Sequence, residues 1–147
     1  MQPDKEALHA ALKLLKNRDY LSSELDLKLE NLQYSKEIRV TVLEFLMSRG
    51  LLNDTRTINN TIARNSGKSA IGRYKLQSKL ASKGLPEEKI EGALSSWSEE
   101  EEREALRELL TLKKVSEENK AKVFRFAVSR GFDPEMVETE IERLIES

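Results

Sequence analysis

Apolar residues recur along this chain in a pattern that repeats about every fifty positions. The segments Leu25–Leu46, Leu76–Trp97 and Val123–Leu144 superpose without gaps, at offsets of 51 and then 47 residues. Leu25, Leu76 and Val123 share one place, Leu29, Leu80 and Ala127 a second, and Tyr34, Leu85 and Phe132 a third. Leu43, Leu94 and Ile141 form the fourth set, and Leu46, Trp97 and Leu144 the fifth. Every matched place is apolar. A glycine precedes the third set in the last two copies; Gln33 stands there in the first. Repetition at this period predicts helical modules in an array, an architecture that presents binding surfaces.

Within each repeat the apolar spacing is three and four, with helix-start and helix-stop residues at its borders. Asp4 is placed to cap a first helix with the stripe Leu8, Ala11, Leu12 and Leu15. Ser22 is placed to cap a second, with Leu25, Leu29 and Leu32 on one face, and Ser35 a third, with Ile38, Val42, Phe45 and Leu46. Arg49-Gly50 ends that helix. Asn53-Asp54 opens a fourth through Ile58 and Ile62. The polar run from Asn65 to Ser69 reads as the most mobile loop. A fifth helix carries Leu76 and Leu80 and stops at Lys83-Gly84. Pro86 sits at a first helical position of the sixth, with Ile90, Ala93, Leu94 and Trp97 buried. Ser98 and Glu101 make a capping box for the seventh, which carries Leu106, Leu109 and Leu110. Ser116 is placed to cap the eighth, which holds Val123, Phe124 and Ala127 and ends at Arg130-Gly131. Asp133-Pro134 starts the ninth, with Met136, Val137, Ile141 and Leu144 inward. No stretch alternates as a strand does. The predicted fold is all-α: three tandem three-helix units, residues 1–52, 53–98 and 99–147, forming an extended, curved helical array.

Composition narrows the chemistry. The 147 residues include no cysteine, which removes disulfides, thiol catalysis and thiolate metal ligands and fits a reducing compartment. No apolar run approaches the ~20 residues that cross a bilayer, and the acidic start lacks signal-peptide order, so the cytoplasm is expected. His9 is the only histidine, too few for a nitrogen-ligated metal or a triad. Gly67-Lys68-Ser69 resembles the tail of a phosphate-binding loop. Ile62 stands where that motif needs a glycine, and a helix is predicted where it needs a strand. The four glutamates at 99–102 suit the positive start of a helix better than a metal. No cofactor and no enzymatic activity are expected.

The net charge is −1, unevenly spread. Residues 56–83 carry seven basic side chains and no acidic one, whereas residues 99–147 carry nine basic and fourteen acidic, a net of −5. Local potential decides binding, so this island is the candidate contact surface. Arg64, Lys68, Arg73, Lys75, Lys79 and Lys83 belong to it. Lys122, Arg125 and Arg130 lie on the equivalent helix of the third unit, and Arg18 lies upstream in the first. Lys75, Lys79 and Lys83 are spaced by four along one helix. Aligned basic helices would hold a phosphate polymer without reading its sequence. Tyr74 is the island's sole aromatic, so no base-stacking platform is evident; an acidic protein surface fits as well as nucleic acid.

The ordered pieces also resemble a family, the RecX regulatory proteins. They are Ala11-Leu12, Arg18, Ser22-Ser23-Glu24-Leu25 through Leu29, Gly50-Leu51-Leu52-Asn53-Asp54, Gly72-Arg73, Leu76 to Leu80, Lys83-Gly84-Leu85 and Arg130-Gly131-Phe132. They span nearly the whole chain in the family's order. Gln33 departs from the family's turn glycine, and Asp19-Tyr20-Leu21 stands where more basic residues are usual. The resemblance implies three tandem three-helix units; separately, a monomer is expected. The resemblance further implies binding to the RecA recombinase filament, with lowered RecA activity and contact to single-stranded DNA. Two alternatives stay open on the residues alone: an independent DNA-binding helical-repeat protein, and a helical scaffold for another acidic partner.

Overall fold

The computed structural model describes residues 2–147. Among them are nine α-helices and no strand: α1 Lys5–Asn17, α2 Ser22–Asn31, α3 Lys36–Ser48, α4 Asp54–Ala63, α5 Arg73–Ser82, α6 Glu87–Ser95, α7 Glu99–Leu112, α8 Lys120–Ser129 and α9 Pro134–Glu146. A 3-10 turn, Gly67–Ser69, lies between α4 and α5. The chain divides into two compact units, residues 1–60 and 61–147, and the division falls within α4.

The repeat seen in the sequence is a repeated turn. After α2, α5 and α8 the chain passes through a left-handed residue: Gln33 at φ 73°, Gly84 at 85° and Gly131 at 96°. In each case the next amide reaches back to the helix, from Tyr34 to Leu29 O (3.2 Å), Leu85 to Leu80 O (3.3 Å) and Phe132 to Ala127 O (3.4 Å). The left-handed residue's own amide bonds to Glu30, Ala81 or Val128. This is the Schellman helix stop, which pairs an apolar residue after the turn with one inside the helix. Those pairs are the second and third matched places of the repeat. Leu25, Leu76 and Val123 are buried, as are Leu29, Leu80 and Ala127.

In residues 1–60, α1, α2 and α3 pack on one another. Their core holds Ala7, Ala11, Leu25, Leu29, Val42 and Leu46. The inward stripe of α1 is rotated from the predicted one: Ala7 and Ala11 are buried, whereas Leu12 is 39% exposed. Leu32 is not inward either, at 53% exposure, because it stands at the α2 C-cap where the helical face ends. In residues 61–147 the main core joins α7, α8 and α9 through Leu106, Leu109, Leu110, Phe132 and Val137, and takes in Ala70 from the loop before α5.

Asp4, Ser35, Ser98 and Asp133 cap their helices as expected, and Ser98 with Glu101 forms the capping box. The other starts differ. Ser22 is the first residue of α2, after Leu21, whose amide donates to Glu24. Ser22 instead gives its amide (2.7 Å) and hydroxyl (2.6 Å) to Asp54 on α4. Asn53 alone caps α4, accepting from the Arg56 amide. Ser116 does not cap α8: the helix begins four residues later, and the Asn119 side chain accepts from the Ser116 amide. Pro86 is the N-cap of α6, with Glu87 its first helical residue.

Glu140 sits on the apolar face of α9 between Val137 and Ile141 and is 1% exposed. Its Oε1 accepts from Arg103 (3.1 Å) and Arg143 (3.2 Å), and its Oε2 from Arg107 (2.9 Å). Burial alone would push this carboxyl up, but hydrogen bonds from Arg107 and Arg103 and the nearby positive charges outweigh it and hold it below the ordinary 4.5. The carboxylate thus stabilises the folded state above that value. The contribution fades as pH falls through the lower, folded-state value.

Two stability measurements follow from these features. Gln33→Gly removes the cost of a left-handed Gln and should raise stability by ~1 kcal/mol in chemical denaturation; a loss would contradict the left-handed assignment. Glu140→Gln should cost about 2 kcal/mol at pH 7, and its gap from the parent should narrow as pH falls below about 4. A gap independent of pH would contradict the linkage.

Candidate nucleic-acid interface

On α5, Leu76 and Leu80 point inward, so Lys75, Ser78, Lys79 and Ser82 at i, i+3, i+4 and i+7 form the opposite stripe, all exposed. This stripe is one wall of an open groove of about 860 Å³. Thr61 and Arg64 contribute from the end of α4, Asn65, Ser69 and Ile71 from the loop, and Arg130 from the end of α8. The lining holds four cations, four hydroxyls and an amide, with no carboxylate.

Side-chain bonds to backbone shape the groove. The Asn65 amide brackets Ile71, accepting from its N–H (2.8 Å) and donating to its carbonyl (2.7 Å). The run read as a mobile loop is thereby tied down, and its GKS triplet forms the 3-10 turn after a helix. Arg130 reaches across to donate to Ala70 O (3.1 Å) and Ser69 O (2.6 Å). Beside it the Gly72 amide donates to Arg130 O (2.8 Å) and the Tyr74 amide to Gly131 O (3.2 Å). The two glycines pass so closely that a Cβ on Gly72 would lie 2.4 Å from Gly131 backbone atoms. A Cβ on Gly131 would lie 2.4 Å from Lys75 Cβ.

Arg73 is turned toward the framework. Its guanidinium donates to Leu94 O (2.7 Å) and Trp97 O, and stacks 5.2 Å from the Trp97 ring centre. Its backbone amide donates to the buried carboxylate of Glu102 (2.7 Å). This repeats the Ser22–Asp54 bond, since Arg73 lies 51 residues after Ser22.

Of the ten basic candidates, the structure brings Arg64, Lys75, Lys79 and Arg130 to one groove. Lys68 is exposed on the 3-10 turn outside the lining, and Lys83 is the half-buried C-cap of α5. Lys122 and Arg125 are exposed on α8. Arg18, in residues 1–60, lies 3.9 Å over the Tyr20 ring and pairs with Glu24. Sequence reasoning missed Asn65 and the hydroxyls. Ser78 and Ser82 were findable by their spacing from Lys75; Asn65 carried no local signal.

The helices, the turn copied three times and the acid-free cationic groove define an all-α repeat protein. No family model matches the chain. It is 32% identical over 145 residues to the regulatory protein RecX of Chlorobium limicola, covering 97% of this chain and 91% of that one. It is 28% identical over 146 residues to RecX of Chlorobium phaeobacteroides, covering 98% and 97%. The crystal structure of RecX from Lactobacillus salivarius has the same fold, with a TM-score of 0.79 at 21% identity over 95% of this chain and 94% of that one. The chain belongs to the RecX family of regulatory proteins.

The two kinds of arginine and lysine separate by stability. Arg73→Ala leaves the Leu94 and Trp97 carbonyls short of a donor and removes the guanidinium Nε that lies 3.6 Å from the Glu102 carboxylate, and should cost roughly 2 kcal/mol in thermal or chemical unfolding. Lys79→Ala should stay within about 0.5 kcal/mol. Equal costs would contradict the division.

Proposed function

We propose that this protein binds the filament of the RecA recombinase and lowers its recombination activity, acting in the cytoplasm without catalysis of its own. Family membership and the acid-free basic groove support the reading. A filament repeats its sites, and a protein with repeated helical units can engage several of them. Weak contacts then sum through effective concentration. Occupation of the filament opposes its productive states or blocks subunit addition, so no chemical step is required of this chain.

The observation that carries the reading is full-length similarity to regulatory RecX proteins, with the cationic groove supplying the contact chemistry. Independent duplex-DNA binding is the second reading, favoured by the lack of carboxylates in the groove and opposed by the net charge of −1. Titrating the purified chain into the DNA-dependent ATPase and strand-exchange reactions of its cognate RecA decides between them. The expected result is a dose-dependent fall in both activities. Unchanged activities at saturation would end the proposal, and selective binding to duplex DNA would then favour the second reading.

A further inference from the structure

We propose that the groove between the last turn of α4, the 3-10 turn and α5 is a seat for a phosphodiester backbone, with Arg64, Lys75 and Lys79 as the phosphate contacts and Arg130 as a positioning residue. The assignment deepens, and rests on, the reading of the chain as a filament-binding protein.

The donor set is the first argument. Cations and hydroxyls line the groove without one carboxylate, although acidic residues outnumber basic ones in the chain as a whole. Charge-assisted bonds from lysine, arginine and serine are the chemistry that holds phosphate oxygens. An acidic protein segment would also bring apolar anchors, because protein interfaces are built on a desolvated apolar centre. Ile71 is the one apolar side chain in the lining. No aromatic lines it either, so bases find no stacking surface and the contact is indifferent to their identity.

The repeat provides an internal control. The stripe Lys75, Ser78, Lys79 and Ser82 corresponds to Glu24, Leu27, Lys28 and Asn31 in the first copy. In the third copy it corresponds to Lys122, Arg125, Phe126 and Ser129. All three helices end in the same turn and bury the same inward positions. The fold therefore accepts a glutamate, an exposed leucine or a phenylalanine on this face. An uninterrupted run of donors occurs only in the second copy and is not a requirement of the helix.

Arg130 is set apart by its bonds. Its Nε and one terminal nitrogen already serve the carbonyls of Ala70 and Ser69, so it fixes the groove floor against α8 rather than meeting the polymer.

The test is fluorescence anisotropy of the full chain with a labelled oligo(dT) of about 30 nucleotides, without RecA, across roughly 50 to 200 mM salt. The parent should bind, weakening steeply with salt. The combined variant Arg64→Ala, Lys75→Ala, Lys79→Ala should bind at least about tenfold more weakly, with its log–log salt slope reduced by about 2, at ~0.7 for each phosphate left without its cation. The single variant Lys79→Glu should weaken binding in the same direction and guards against loss of fold in the triple. Lys122→Ala with Arg125→Ala should stay within about twofold. Arg130→Ala should lower both melting temperature and affinity but keep the parental slope; a reduced slope would make it a phosphate contact and overturn its assigned role. The groove assignment is overturned if the parent does not bind the oligonucleotide or if the triple variant binds like the parent. It is equally overturned if polyglutamate displaces the oligonucleotide at lower charge concentration than unlabelled oligo(dT), or if inorganic phosphate displaces it at constant ionic strength. RecA inhibition by the parent in any of these cases leaves the filament reading standing and removes the groove assignment alone. Oligonucleotide binding by a parent that leaves RecA unaffected removes the filament reading instead.

Discussion

Residues 61–147 depend on one close crossing of backbone. At Gly72 and Gly131 two chain segments approach to where no side chain fits. Contact at that range lets the Gly72 and Tyr74 amides at the start of α5 donate to the Arg130 and Gly131 carbonyls just past α8, so a helix start meets a helix end. The crossing also sets the reach of Arg130. With α8 ending there, its guanidinium spans to Ser69 and Ala70 and fixes the loop that floors the groove. Gly131 meets a second demand at the same place, a left-handed backbone, so both its missing Cβ and its φ are used. The Arg-Gly-Phe and Gly-Arg pieces that carried the family resemblance thus prove to be partners in one contact.

Carboxylates provide the other stitching. Asp54 and Glu102 each accept the first amide of a second helix, that of α2 or α5, from the helix that opens the next repeat. Glu140 draws three arginines from α7 and α9 onto one buried group. Many of the charges that make the chain look highly polar are therefore internal structure. What remains outside differs between copies: the exposed face of α2 carries Leu27 and Lys28 where α5 carries Ser78 and Lys79. Duplicated helices keep their inward positions for packing and vary their outward ones.

Most of the fold was legible because its determinants are local. Helix periodicity, four side-chain caps and the repeated stop motif all lie within a few residues of where they act. The misplaced caps arose from competition for the same polar groups, once by a distant partner and once by a near one. Ser22, Asp54 and Ser116 have the local look of caps, but Ser22 and Asp54 bond to each other across 32 residues, and Asn119 takes up the Ser116 amide. The site was half legible. Charge spacing on α5 located Lys75 and Lys79, while Arg73 and Arg130 looked identical to them in sequence. Only the carbonyls they face, which come from distant segments, separate framework arginines from surface cations. Glu102 and Glu140 did leave a trace, as charged residues at positions where an apolar stripe predicts leucine.

The proposed seat puts the donor stripe of α5 against a phosphodiester chain in the working complex. A photoreactive amino acid placed at Ser78, irradiated in filaments of the cognate RecA on a single strand, tests it most directly. The same group at Leu27, the equivalent place in the first copy, serves as the control. Covalent adducts to the DNA strand are expected from position 78 and not from position 27. Adducts from position 78 to RecA alone, or equal DNA adducts from both positions, would contradict the proposed seat.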